Sequence, residues 1–442
     1  MKGYILNDTK TFSILTLGCR VNQYESDCIT EHLIDAGMTK TDFGNECDVA
    51  IVNTCTVTAE SDRKSRQMIR RAVSCAKKVI VTGCYAETGR SVAEKIDGVS
   101  FITGNGRKSE VLNAALLLAE GKDVAPIFPD VATSPFDVMV NTVPQRTRSY
   151  IKIEDGCDSR CAYCIIPKAR GHVRSKPSDV IRTEAEALFT AGCREVILTG
   201  IETAAYGRDF EREPYYGHSL AQVIRDTAAI GYERIGLGSL DPSVMNELFV
   251  NDIADIHALM PHFHLSVQSG CSSVLARMRR RYNTAMLEAN IARLKSAIPD
   301  VTLSADIIVG FPGETEEEFL ETVSFIKSVR FLHLHIFPYS VRQGTEAAIM
   351  KDQLPQSVKS ERLHKLSAIQ AEIKKELLTE YVSAHVSEPV TVLVEEMKGG
   401  KLFGHSEHFA EVSFSGDECL IGKAVKVRLV STDGELCCGE IC

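Results

Sequence analysis

Short apolar runs at residues 12–17, 49–53, 79–82 and 99–102 alternate with amphipathic stretches at 22–36, 61–74, 86–96 and 108–120. The runs are too short for helices and read as buried strands, while the stretches between them repeat apolar residues at helical spacing. That alternation predicts a parallel sheet with helices on both faces, whose ligand site lies outside the carboxyl ends of the strands. A second series has strands at 149–154, 195–199, 234–237, 263–267, 302–309 and 332–337, with helices at 177–191, 220–230, 286–297 and 316–328. Six such units predict a partial (β/α)6 barrel with its site at the carboxyl ends.

Between the two series, Pro126, Pro129, Pro135 and Pro144 interrupt a stretch with little periodicity, which reads as a linker. A long helix over 358–381 is followed by strands at 390–394, 409–414 and 425–429 with glycine-containing turns. These suit a small antiparallel barrel of OB-like size. The expected class is α/β, with domains at 11–122, 147–375 and 376–442 and the linker at 123–146.

With 442 residues, 44% hydrophobic and 25% charged, the chain suits two or three ordinary globular domains. A net charge of −9 does not suggest a nucleic-acid partner, which would need local basic patches. Fifteen cysteines change the picture more. Residues 1–10 show no apolar signal segment, and no run reaches the length of a membrane span. Such a chain is expected in the reducing cytoplasm, with its cysteines in metal or redox chemistry rather than disulfides.

Cys157, Cys161 and Cys164 form a C-x3-C-x2-C array directly after the first strand of the second series. Three thiolates in so short a loop can hold an iron–sulfur cluster, with one iron left open to substrate. The bland alternative is a zinc knuckle with His172 as fourth ligand. Cys19, Cys55 and Cys84 each stand where a strand of the first series turns into a helix, so their loops should converge on a second three-cysteine cluster site. Cys28, Cys47 and Cys75 read as small buried hydrophobes, and Cys437, Cys438 and Cys442 as free thiols in the tail.

The remaining strand ends carry small or polar residues, including Gly200, Glu202, Ser239 and Gln268, which would let a nucleotide-sized ligand approach the backbone. Arg63, Arg66 and Arg70 share a helix face and could bind phosphate, as could Lys168, Arg170, Arg174 and Lys176 beside the array. Arg277, Arg279, Arg280 and Arg281 form a further basic cluster. Lys359, Arg362 and Lys365 of the long helix read as a solvated face. Phe403, His405, His408 and Phe409 could offer stacking surfaces, with Lys398, Lys401, Lys423, Lys426 and Arg428 for phosphates.

Cys19, Cys55 and Cys84 ahead of Cys157, Cys161 and Cys164 make the chain resemble the radical-SAM methylthiotransferases over almost its whole length. The resemblance implies a flavodoxin-like N-terminal domain with its own cluster, a radical-SAM barrel and a TRAM-like RNA-binding domain. The runs Leu17-Gly18-Cys19-Arg20-Val21-Asn22 and Asn53-Thr54-Cys55-Thr56-Val57-Thr58 look like the branch that modifies threonylcarbamoyladenosine in tRNA. The isopentenyladenosine branch typically has Gln-Met-Asn after the first cysteine, and the ribosomal-protein branch Pro-Lys-Asn.

Two 4Fe-4S clusters and S-adenosylmethionine are the implied cofactors. Cys157, Cys161 and Cys164 would hold the catalytic cluster, with Tyr163, Gly200, Glu202, Ser239 and Gln268 as cofactor contacts. There S-adenosylmethionine would be cleaved to a radical that takes hydrogen from carbon 2 of the adenine beside the anticodon. The cluster on Cys19, Cys55 and Cys84 would deliver sulfur, and a second S-adenosylmethionine the methyl group. The implied partners are the tRNA anticodon stem-loop and a reductant such as flavodoxin or ferredoxin, with the sulfur donor left open and no membrane. Glu202, Gly236, Gly238, Cys271 and Phe409 depart from the residues usual in this branch. The rival readings are another methylthiotransferase substrate, isopentenyladenosine tRNA or a ribosomal protein, and a non-catalytic iron–sulfur RNA-binding protein.

Overall fold

The computed structural model describes residues 10–211 and 213–442; residues 1–9, most of the segment read for an export signal, lie outside the described residues. The N-terminal part runs β1 (Thr11–Thr16), α1 (Arg20–Asp35), β2 (Thr39–Lys40), β3 (Cys47–Thr54), α2 (Ala59–Cys75), β4 (Ala76–Gly83), α3 (Cys84–Thr88), α4 (Arg90–Ala93), β5 (Val99–Ile102) and α5 (Glu110–Ala119). Its sheet is parallel in the order β2-β1-β3-β4-β5. In this doubly wound order the ligand crevice opens where the winding reverses, between β1 and β3. β3 lies mid-sheet, so Val49, Ala50, Ile51 and Val52 are buried on both faces. Gly89 splits the helix expected over 86–96 into α3 and α4.

The central part begins with β6 (Ser149–Lys152), β7 (Glu154–Asp155), α6 (Ile166–Arg170), β8 (Arg174–Ser175), α7 (Ser178–Thr190), β9 (Glu195–Thr199), α8 (His218–Ala228) and β10 (Arg234–Leu237). It continues with α9 (Glu247–Ile253), β11 (His262–Gln268), α10 (Ser272–Arg277), α11 (Thr284–Ala297), β12 (Thr302–Val309), α12 (Glu316–Val329), β13 (His333–Pro338) and α13 (Gln356–Ala384). Six strands form two parallel sheets, β10-β9-β6 and β11-β12-β13, bridged at Leu240 and Leu265. Phe263, Leu265, Leu303, Ala305, Ile307, Leu334 and Ile336 point toward the helices and join the main core. The alternate residues of the same strands, among them His262, His264, Ser266, Ser304, Asp306, His333, His335 and Phe337, form the other face. α12 opens on the capping box Thr315 and Glu318.

The C-terminal part holds β14 (Val390–Lys398), β15 (Lys401–Ser406), β16 (Glu411–Phe414), β17 (Ala424–Thr432) and β18 (Cys437–Ile441). They pair as β14-β15-β16-β18-β17, and β17 returns to β14. β15 and β18 are additions to the strands expected here. Cys437 lies fully buried in this core rather than loose in a tail. The sheet seals the amino ends of the central strands. Phe409 stacks between His262 (4.4 Å) and His405 (4.7 Å), and Arg148 bridges Glu195 and Glu395. Burial pushes His333 down to about 4, so it is neutral at pH 7. No helix among the described residues is long and apolar enough to cross a membrane.

Several cations read as surface groups are buried. Arg170 and Lys176 are wholly inside and Arg174 nearly so, while Lys168 is exposed. On α13, Lys359 donates to the Tyr339 carbonyl and Arg362 pairs with Glu314, so these two are packed, whereas Lys365 is exposed as expected. Arg170 joins the N-terminal and central parts. Its guanidinium meets Glu25 (2.7 Å) of α1 and Asp155 (3.1 Å) of β7. Lys152 bridges the same two carboxylates, and Lys108 also pairs with Glu25.

Burial alone would raise the Glu25 and Asp155 pKa values, but Arg170 and its lysine neighbours outweigh it. Glu25 is held well below the usual carboxylate range and Asp155 at about 2. Carboxylates with depressed folded pKa values stabilise the protein above their unfolded values and lose that contribution as pH falls through the folded ones. The melting temperature should therefore drop between about pH 4 and 2. In Glu25→Gln that acid slope should be shallower and the melting temperature at pH 7 lower, both measurable by thermal denaturation across a pH series.

Candidate active site

The C-x3-C-x2-C loop leaves β6 through the short antiparallel pair β7–β8, which pinches its base through Glu154–Ser175 and Asp155–Arg174. Gly156 turns the chain at φ +89°, and a Cβ there would sit 1.9 Å from the His172 carbonyl oxygen. Only glycine fits. The Cys157 N–H donates to Gly171 O (3.0 Å), and Ala162 is pinned by Met278 and Ala347.

Each of the three sulfurs accepts a hydrogen bond. Ser159 N donates to Cys157 Sγ (3.4 Å), Ile166 N to Cys164 Sγ (3.4 Å), and Arg280 Nη1 to Cys161 Sγ (3.2 Å). Arg280 is itself fixed by Asp241 (2.9 Å), the Ser266 carbonyl (3.0 Å) and the Tyr282 hydroxyl (2.8 Å). Burial pushes the Cys157 and Cys164 thiols up to about 12, so in the bare loop they are protonated. Iron binding deprotonates them, and N–H donors with a guanidinium are what buried thiolates on a cluster require. The donor set fits a cluster. His172, the fourth ligand of the zinc-knuckle reading, is mostly exposed, with its Nδ1 2.8 Å from Asp158 of the cysteine loop.

The second trio lies at the crevice of the N-terminal sheet. Cys19 follows β1 as the residue before α1, Cys55 follows β3, and Cys84 opens α3 after β4. Asn22 Nδ2 ties the first two loops by donating to Leu17 O (2.7 Å) and Thr54 O (2.9 Å). Cys84 Sγ accepts from Arg170 Nε at 3.3 Å, so the interdomain arginine also serves this trio. Gly18 sits at φ +99°, and a Cβ there would come 2.8 Å from Cys55 Sγ. Gly18→Ala should therefore leave a folded enzyme with about four irons per chain instead of about eight, read by iron and sulfide assay after anaerobic reconstitution.

A cavity of about 420 Å³ is lined by Cys19 of the second trio together with Cys157, Cys161 and Cys164, while Cys55 and Cys84 are buried outside its lining. Its volume falls within the range of small-ligand sites, about 300–1,000 Å³. Of the expected cofactor contacts, Tyr163, Glu202 and Gln268 line it, whereas Gly200 and Ser239 stand outside the lining. Gly200 backs the wall, where a Cβ would meet Glu154 Oε2 at 2.6 Å. Gln268 reaches the cavity because β11 ends in a register shift that leaves it at φ +69°. Burial, with Asp241 nearby, raises the Glu202 carboxyl to about 8, and its Oε1 accepts from Asp241 N (3.1 Å).

Arg280 and Asp306 also line the cavity, and sequence reasoning missed both as site residues. Arg280 is one of four arginines within five positions, and nothing in that run marks which one turns inward. Asp306 had a usable signal, since Ser304 and Asp306 are polar at alternate positions of an otherwise apolar strand.

Six parallel strands with the cysteine loop after the first define a radical-SAM fold, and residues 151–326 match the model of the radical SAM superfamily. Residues 11–104 match the model described as uncharacterized protein family UPF0004. The chain is 37% identical over 431 residues, 95% of it and 94% of the relative, to the threonylcarbamoyladenosine tRNA methylthiotransferase MtaB of Bacillus subtilis (strain 168). The Thermotoga maritima protein of the same name is 34% identical over 97% of each chain. A tRNA-2-methylthio-N(6)-dimethylallyladenosine synthase of Aquifex aeolicus is 32% identical over 97% of this chain and 99% of that one. Among solved structures, the radical S-adenosylmethionine methyltransferase TsrM of Kitasatospora setae superposes with a TM-score of 0.55 at 15% identity over 77% of each chain, a likeness of fold alone.

The chain belongs to the radical-SAM methylthiotransferase family. It is an enzyme, a transferase that works with S-adenosylmethionine and 4Fe-4S clusters.

Proposed function

We propose that the chain adds a methylthio group to carbon 2 of N6-threonylcarbamoyladenosine beside the anticodon of tRNA. The observation that carries this reading is the shared cavity, where Cys19 of one trio faces Cys157, Cys161 and Cys164 of the other. A member of each cysteine trio on one space suits a reaction in which a C–H bond is broken and sulfur inserted at the same carbon. The relatives named for threonylcarbamoyladenosine at 33–37% identity support the choice of base.

In this reading Cys157, Cys161 and Cys164 hold the catalytic cluster, and Cys19, Cys55 and Cys84 the second. When bound, the clusters and S-adenosylmethionine supply the hydrogen-abstracting radical and the sulfur. The protein's residues do the rest. Arg280 balances charge at Cys161, Glu202 and Gln268 offer polar contacts to S-adenosylmethionine, and the interdomain junction keeps water from the reacting carbon. Tyr163 closes one wall, while Gly200 and Ser239 act from behind it.

We place the N-terminal domain at 11–122, the linker at 123–146, the partial radical-SAM barrel with its helix at 147–375, and a TRAM-like RNA-binding domain at 376–442. The exposed Arg63, Lys64 and Arg70 of α2, which starts beside the cavity at Thr58, meet tRNA phosphates. A cytoplasmic reductant such as flavodoxin or ferredoxin completes the system. Nucleoside mass spectrometry of tRNA from a deletion strain tests the substrate. Threonylcarbamoyladenosine should accumulate without its methylthio form and be restored by the wild-type gene. An unchanged methylthio-threonylcarbamoyladenosine level with loss of methylthio-isopentenyladenosine would transfer the assignment to that base.

A further inference from the structure

Buried and half-buried arginines at the domain junctions have anionic partners. Arg170 has Glu25 and Asp155, Arg148 has Glu195 and Glu395, Arg234 has Glu195, Arg280 has Asp241 and Arg342 has Asp62. Arg20 is different. It follows Cys19 as the first residue of α1, and its Nη1 donates to a neutral group, the Leu237 carbonyl at the end of β10 (3.3 Å). Among the described residues no carboxylate forms an ion pair with it within 4 Å. A guanidinium carries five donors, and a sequestered one is ordinarily matched by an anion.

The surroundings show where that anion would sit. Arg20 reaches from the N-terminal domain to the inner face of the central strands, within electrostatic reach of Tyr150, Arg148, Glu195, Asp306, His262 and His335, although neither carboxylate comes within ion-pair distance of it. Asp306 lines the shared cavity and is held by His264 (3.1 Å). His335 stands edge-on to His264 at 5.1 Å. Asp306, in the cavity lining, thus stands within electrostatic reach of a guanidinium and an imidazole, Arg20 and His335, that lie outside that lining.

We propose that Arg20 receives the carboxylate of the amino-acid substituent on N6 of the target adenosine, with His335 and Asp306 beside it for the remaining polar groups of that substituent. This rests on the substrate reading above. In adenine, carbon 2 and carbon 6 flank the same ring nitrogen, so the reacting C–H and the N6 substituent lie along one edge of the base. A base that turns carbon 2 toward Cys19 therefore brings the substituent past the next residue, Arg20. The contact would be bidentate and charge-assisted, a geometry that favours carboxylate over phosphate contacts made elsewhere on the RNA.

The test is binding of synthetic anticodon stem-loops to the anaerobically reconstituted full-length enzyme. One carries threonylcarbamoyladenosine, one its methyl ester and one plain adenosine. The wild type should bind the acid about 10- to 100-fold more tightly than the ester, the range of a hydrogen bond to a charged group. Arg20→Gln should collapse that preference to within about threefold, while Arg20→Lys, which keeps the charge but loses the fork, should keep only part of it. Arg20→Gln retaining the preference, an equal weakening for all three RNAs, or a wild type indifferent to the ester would overturn the inference. Wild-type turnover of threonylcarbamoyladenosine tRNA, read by mass spectrometry, tests the substrate reading separately. No methylthio product there sinks that reading, whereas product together with any of the overturning binding results sinks the inference alone.

Discussion

Reconstituted anaerobically, Cys161→Ala will cleave S-adenosylmethionine only at background rate, whereas Cys55→Ala will still cleave it but insert no sulfur into tRNA. Cys161 lines the cavity, and Cys55 belongs to the trio that reaches it through Cys19. Cys161 lies on the loop after β6, where its sulfur takes the Arg280 hydrogen bond, and in the proposed reading alanine removes a ligand of the cluster that binds the cofactor. Cys161 is half-exposed, so its loss costs little stability, within about 0.5 kcal/mol for such a position. Arg280 keeps Asp241, Ser266 and Tyr282 as partners. The loss of cleavage is therefore chemical rather than structural. Cys55 lies against Gly18 and Ser65, outside the cavity lining. Each variant should retain about four irons against about eight in the wild type. Deoxyadenosine release measured beside methylthio product separates the two roles. Equal loss of cleavage in both variants would mean that the trios do not divide the work.

Arg170→Met should destabilise the protein by about 3–5 kcal/mol and lower iron at the second site. Arg170 is wholly buried and holds Glu25, Asp155, Asn22 Oδ1 and Cys84 Sγ together. Removing one partner of a buried charge network leaves the others uncompensated, which costs more than the network gains over an apolar core. Glu25 would keep Lys152 (2.9 Å) and Lys108, but Asp155 would keep only Lys152 (2.8 Å) and the more distant Arg174 (3.6 Å). Asp155 also accepts from Gly156 N (2.9 Å), next to Cys157, so the loosened carboxylate disturbs the turn into the barrel loop. Chemical denaturation gives the stability change. Arg170→Lys, which keeps the charge but loses the fork, should fall between methionine and wild type. A methionine variant as stable as wild type, with full iron, would remove Arg170 from this role.

The strands were legible because buried parallel strands are continuous apolar runs, as at Val49 to Val52. The six cysteines were legible because spacing and strand ends are sequence properties. What the sequence hid was pairing. It shows that Arg170, Arg174 and Lys176 are basic, but Glu25 stands 145 positions before Arg170 and nothing local joins them. A phosphate-binding surface was the natural reading, and a buried ionic junction was the outcome. β15 escaped because Lys401, Gly404 and His405 break its apolar pattern, and β18 because Cys438, Gly439 and Glu440 follow a single buried Cys437. Gln268 was expected at the site from its strand end, but the register shift that turns it inward is a property of the folded sheet.

The most direct measurement is a single anaerobic turnover assay of the full-length enzyme on tRNA carrying threonylcarbamoyladenosine, with S-adenosylmethionine and a reductant. The nucleosides are then resolved by mass spectrometry. The expected result is methylthio-threonylcarbamoyladenosine in wild type and none in either Cys161→Ala or Cys55→Ala. Cofactor cleavage without any methylthio product, or product formed by the Cys55→Ala enzyme, would contradict a reaction that needs both cysteine trios.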